Sequence, residues 1–247
     1  MGQADWHELD GVLSASQLRR GSVFGTGGFT PPNGGGSFVF GYNSLAAVKG
    51  AHGMFCNLPG FIPTGDGLPP PAGGGIVRGA VKRVASPGST GMSAMLFFCG
   101  QGSSPSVNDS AYLLGLSDAD PYEIVLAKAP IVSGLVEADE NVAILARSSA
   151  QYNLGDDLWH HLELEVIVEP NGDVKLQVQA NDLALYDVTS PVWAPVAGID
   201  AFIDDNLYVN TGSAPLWGGH VGWAFSVNDQ INRRGAFDAI QCFRVPG

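Results

Sequence analysis

The sequence predicts an all-β protein, an antiparallel β-sandwich or jelly roll preceded by an irregular, Gly/Pro-rich N-terminal segment. Three observations predict it. Residues 162–168 and 174–180 alternate apolar and polar side chains with a period of two, which writes two strands of a half-buried sheet. Between them Pro170, Asn171, Gly172 and Asp173 supply a hairpin turn, with the Asn-Gly pair expected to take the positive φ values of a tight turn. Glycine and proline, 34 and 16 residues, make up about a fifth of the 247-residue chain. They suit many turns and are the two poorest helix formers.

Along the chain, Trp6–Leu13 and Ala15–Arg20 are the only stretch with helical flavour, and 25–36 form a glycine-rich run. A strand is expected at about 37–42. Residues 43–75 hold few strand signals and many turn residues, ending in Pro69–Pro71 and Gly73–Gly75. The body begins near Ile76, where Val77, Gly79 and Val81 alternate with Arg78, Ala80 and Lys82. Further strands are expected at 92–99, 111–116, 122–128 and 141–147, then the 159–186 meander, then 219–227 and 235–245. That makes at least nine strands and no helix able to carry a parallel crossover. The expected division is residues 1–75 as an irregular head and attachment segment and 76–247 as the sandwich. Residues 188–219 read as one long loop.

Composition narrows the partners. Hydrophobic residues reach 45%, enough for a sizeable core, while charged residues are only 15% and the net charge is −12. An acidic chain without a basic patch is a poor match for nucleic acid or an anionic membrane. Three widely spaced cysteines (Cys56, Cys99, Cys242) imply neither a disulfide framework nor a zinc site. The N-terminus has no basic start or apolar core, so no signal peptide is expected. Nor is there an apolar run of about 18 residues, so no transmembrane helix is expected.

The order of the motifs resembles the concanavalin A-like/laminin-G-like jelly-roll superfamily. A Trp159-His160 pair opens a long strand. A turn, a second strand and a short tag strand at 183–186 follow. Then come Gly219, Val221, Gly222 and Trp223 as a Gly-x-Val-Gly-aromatic strand. A closing strand carries Ala236, Phe237 and Asp238. The resemblance covers about residues 76–245 and implies the sandwich. It implies no activity, since this architecture hosts lectins, glycosidases and adhesion modules alike. The remaining features, an uncovered head with low charge and much glycine, are similar in style to structural proteins of tailed-bacteriophage virions. That similarity implies a protein made in the host cytoplasm and built into a virion, with other virion proteins and copies of itself as partners.

Chemistry-bearing patterns are few. A glycosidase needs two carboxylates roughly 5–10 Å apart across the sugar bond. Glu163 and Glu165 come nearest, yet they lie on the polar face of a surface strand. His160 and His161 point to opposite faces and cannot chelate one metal together. Asp118 with Asp120, and Asp204 with Asp205, lack the dense oxygen spacing of a calcium loop and read as turn formers. No catalytic residue, metal or cofactor is expected. The aromatic and polar side chains Trp193, Asp204, Asn206, Tyr208 and Trp217 form the candidate contact set, for protein neighbours or, alternatively, for surface glycans in a lectin-like recognition module.

Overall fold

A computed structural model describes residues 6–8, 18–20, 38–41, 50–56, 73–84, 92–100, 110–117, 123–131, 142–149, 159–181, 191–199, 201–227 and 234–245. Among them are fifteen strands: β1 (Trp6–Glu8), β2 (Leu18–Arg20), β3 (Phe38–Gly41), β4 (Gly50–Cys56), β5 (Gly73–Val84), β6 (Met92–Gly100), β7 (Ser110–Ser117), β8 (Ile124–Pro130), β9 (Ala143–Arg147), β10 (Trp159–Val168), β11 (Val174–Asn181), β12 (Trp193–Pro195), β13 (Ala201–Asp204), β14 (His220–Val227) and β15 (Arg234–Val245). A seven-stranded sheet runs β1-β4-β14-β6-β7-β8-β9. An eight-stranded sheet runs β12-β11-β10-β5-β15-β3-β2, with β13 also paired to β11. Every pairing is antiparallel.

The fold class is the one the sequence predicts, with differences in the N-terminal part. The first 75 residues supply strands to both sheets, with β1 and β4 in one and β2 and β3 in the other. The stretch of expected helical flavour contains β1 and β2 instead. Strand β5 begins at Gly73, three residues ahead of the expected start of the body. Gly73, Gly74 and Gly75 pair with Val168, Ile167 and Val166 of β10. They read as turn residues, but glycine answers a second need here. A Cβ on Gly74 would overlap the carbonyl oxygen of Val166, so this close backbone approach admits no side chain. The expected tag strand at 183–186 lies outside the described residues.

The main core lies between the sheets. Leu162, Leu164, Val166 and Val168 of β10 and Val174, Leu176 and Val178 of β11 face Leu96, Phe98, Leu114 and Leu126 of the opposite sheet. This is the alternation read from sequence, because residues two apart share a face. A second cluster was not anticipated. Met95, Phe97, Leu113, Val125, Ala127 and Ala224 are buried on the outer face of the seven-stranded sheet. That sheet is covered on both sides, which explains why β7 and β8 read as continuous apolar runs rather than alternating ones.

The meander turn also differs in detail. Gly172 takes φ 90°, whereas Asn171 stays at negative φ. The Gly172 amide donates to the Glu169 carbonyl and the Glu169 amide to the Asp173 carbonyl, both at 2.9 Å. This is a turn with Pro170 and Asn171 at its centre and a left-handed glycine after it, a three-residue hairpin. Proline at the first central position explains the choice, because its fixed φ suits an ordinary turn and not a mirror-image one. Asn171 serves through its side chain, accepting the Asp173 amide at 3.1 Å and donating to the Asp173 carboxylate at 2.7 Å.

Candidate functional site

The expected 188–219 loop is not one loop. It contains β12 and β13, both paired to β11, and this division separates the five candidate side chains. Asp204, Asn206, Tyr208 and Trp217 gather beside the meander turn. Trp193 stands at the edge of the eight-stranded sheet, on its outer face.

Asp204 closes β13 and turns inward, with none of its surface exposed. Its Oδ2 accepts from Lys128 Nζ at 2.8 Å and from the Tyr112 hydroxyl at 2.7 Å, and its Oδ1 accepts from Thr211 at 2.8 Å. Lys128 and Tyr112 face each other on β8 and β7, so this ion pair joins the two sheets. Lys128 also donates to the Ala214 carbonyl at 2.6 Å, and Tyr112 accepts the Leu216 amide at 2.9 Å. Burying two charges is costly unless their remaining hydrogen-bonding groups are satisfied. Here both charges are also bonded to other groups, and the result is an internal anchor for residues 211–216.

Asp205, the next residue, serves the backbone outside. Its carboxylate accepts the amides of Leu207 at 3.1 Å, Val209 at 3.0 Å and Asn210 at 2.7 Å. Those bonds, led by the Val209 amide, hold its carboxyl below the usual carboxylate range. The turn-former reading of this residue is what the structure shows. Asn210 returns a side-chain bond to the Ile203 carbonyl at 2.7 Å, closing the loop. Asn206 binds the meander turn, its amide donating to Asp173 at 2.8 Å and its side chain to the Asn171 carbonyl at 3.2 Å. Trp217 does likewise, donating its indole N–H to the Gly172 carbonyl at 2.7 Å while its ring packs on the core. Three of the five expected contact residues therefore hold the loop in place. Tyr208 projects outward, at a positive φ of 62°.

Sequence reasoning picked out Tyr208 at the loop tip and missed the apolar side chains around it. Ile203, Leu207, Tyr208 and Val209 are 49%, 83%, 47% and 78% exposed. Their signal was an apolar run in a stretch already read as loop.

No protein-family model matches the chain, and no curated protein matches it in sequence. Among solved structures it is similar to the PL-14 alginate lyase from Aplysia kurodai at 13% identity, over 94% of this chain and 88% of that one, with a TM-score of 0.48. It is similar to the legume lectin-like domain from Entamoeba histolytica at 7% identity, over 96% and 89%, with a TM-score of 0.43. A mutant of the GH43 protein BlXynB from Bacillus licheniformis matches at 11% identity over 86% of this chain, with a TM-score of 0.42, and the chain spans about a third (33%) of that longer protein.

Trp193 belongs to a second cluster, on the outer face of the eight-stranded sheet. Its ring meets His161 of β10 at 4.5 Å. Arg78 of β5 lies 5.7 Å from the Trp193 ring and 4.5 Å from that of Phe243, and pairs with Glu163 at 3.5 Å. Burial holds the His161 imidazole down at about 4, and the Arg78 guanidinium adds to that shift. Burial also raises the Glu163 carboxyl above its ordinary range, against the pull of Arg78 and with help from Glu165.

A pH dependence follows for His161. Its folded-state value lies below the ordinary histidine value of 6.5, so the unfolded chain binds the extra proton first. The stability tied to its neutral form is present above about 6.5 and is lost as pH falls toward about 4, by up to about 3 kcal/mol. Glu163, shifted upward, acts in the opposite sense as its carboxyl titrates. His161→Phe should therefore flatten the fall in melting temperature between pH 6.5 and 4 relative to the natural chain. An unchanged slope in that variant would mean that His161 does not carry the effect.

Proposed function

We propose that this protein is a non-enzymatic assembly module that binds its neighbours through the tip of the 203–209 loop. The observation that carries the reading is a rigid, closed loop presenting four large apolar side chains to water. Apolar groups clustered on a surface mark interaction sites. A bulky residue at positive φ, as at Tyr208, costs free energy and is retained at functional positions. The anchoring of the loop from both sides, by Asp204 within and by Asn206 and Trp217 at the meander turn, removes most of the ordering cost of binding.

Glu163 and Glu165 are engaged with protein groups, which supports the non-enzymatic reading. Glu163 pairs with Arg78, and Glu165 lies 2.9 Å from the Gln177 amide nitrogen once that amide is oriented to satisfy its neighbours. Copies of the same chain are the first expected partner. The virion setting, with other virion proteins as partners, is carried by the style of the sequence.

The test is the doubly charged variant Leu207→Asp, Val209→Asp. Both side chains are already in water, so folding stability should change by less than about 1 kcal/mol. Light scattering at physiological salt should show an oligomer for the natural chain and a monomer for the variant. A natural chain that is monomeric at high concentration, or a variant that associates as before, would rule this loop out as the self-association surface.

A further inference from the structure

The outer face of the eight-stranded sheet carries the second cluster, which the assembly reading does not use. Trp193, Arg78, Glu163, Gln241 and Phe243 come from β12, β5, β10 and β15. Sheet order and register bring them together, Arg78 standing opposite both Glu163 and Gln241. The Arg78 guanidinium is fixed at one corner by its Nε–H bond to Gln241 at 2.8 Å. It lies between the Trp193 and Phe243 rings. Its side chain remains 26% exposed, while that of Glu163 is only 9% exposed.

Donors predominate. Arg78 has five N–H groups in a planar fork, and its protein bonds use the Nε and one Nη1 position. Among the described residues the other Arg78 N–H groups, the Trp193 indole N–H and the Gln241 amide N–H groups have no protein acceptor. The nearby acceptor, Glu163, approaches Arg78 from one side only, at 3.5 Å. The partly exposed Trp193 indole adds a flat apolar surface. This combination calls for a ligand with an apolar ring face and more acceptors than donors at one edge. A carboxylate meets the second demand best, because it accepts two parallel N–H bonds from an arginine fork. A pyranose ring meets the first through its C–H face.

We infer that this face binds an acidic saccharide, a pyranose bearing a carboxylate, with Arg78 taking the carboxylate and Trp193 stacking on the ring. The site is separate from the 203–209 loop, and either can hold without the other.

The experiment titrates the natural chain with trisaccharides of galacturonic acid and of mannuronic acid, and with their methyl esters, which keep the ring and mask the charge. At least one free acid should bind ten-fold or more tightly than its ester. Arg78→Lys retains the cation without the fork and should weaken that binding at least ten-fold. Trp193→Phe should weaken it several-fold, and Tyr208→Ala should leave it unchanged. Thermal melts confirm that each variant is folded, and the conservative Lys and Phe replacements keep β5 and β12 in place. Absence of binding to both free acids would overturn the inference. So would equal binding of acid and ester, or a folded Arg78→Lys variant that binds as the natural chain does.

Discussion

Asp204→Ala is expected to lower the unfolding free energy by about 3–5 kcal/mol, the usual cost of removing one partner from a buried ion pair. Lys128 would be left charged among Tyr112, the Ala214 carbonyl and the underside of β13, with 7% of its side chain exposed to water. Tyr112 would lose its acceptor and Thr211 its partner at the same stroke. For a chain of 247 residues that loss corresponds to a fall in melting temperature of roughly 6–20 °C. Loss of the pair should also free residues 205–213 from beneath, so limited proteolysis should cut there before the sheets unfold. Pairing Asp204→Leu with Lys128→Met removes both charges and leaves no unpaired buried charge, although the Tyr112 hydroxyl still loses its acceptor. That double variant should recover much of the stability, since apolar replacement of a whole buried pair is often neutral or better. A single variant as stable as the natural chain would show that the pair is not the anchor.

The two-sheet architecture was legible because the information for it is local. In β10 and β11 each residue reports its own face, and only the turn between them, short and proline-led, needed the structure to settle which residue takes the positive φ. Locality is also what failed for Asp204. Its partners Lys128 and Tyr112 are 76 and 92 residues away, and nothing near residue 204 marks a carboxylate as inward rather than exposed. Trp217 and Asn206 were singled out for residue type and proved to be fastenings, because an indole N–H and an amide suit a neighbouring carbonyl as well as a ligand. Gly73–Gly75 read in sequence as turn residues, whereas the Val166 carbonyl beside Gly74 makes the lack of a side chain the point. Arg78, His161, Glu163 and Gln241 lie on three different strands. Only the β15-β5-β10 pairing brings them together.

Trp223→Ala should cost about 3–5 kcal/mol, the range for removing a large aromatic from a packed core. Trp223 is 1% exposed and Phe237 is fully buried, and their rings stand 4.7 Å apart at 31°. One belongs to β14 in the seven-stranded sheet and the other to β15 in the eight-stranded sheet, so this contact, like the Lys128–Asp204 pair, joins the two layers. These residues are also the aromatic positions of two of the motifs that carry the resemblance to concanavalin-like sandwiches. Their spacing in sequence follows from a packing requirement across the core, not from a binding site. A double-mutant cycle with Trp223→Leu and Phe237→Leu isolates the pair, and its coupling should be about 0.5–1.5 kcal/mol, as for other tilted aromatic pairs. Additive losses would assign the stabilisation to burial alone. Neither replacement reaches Arg78 or the 203–209 loop, so saccharide binding and self-association should survive in every variant that remains folded at the assay temperature.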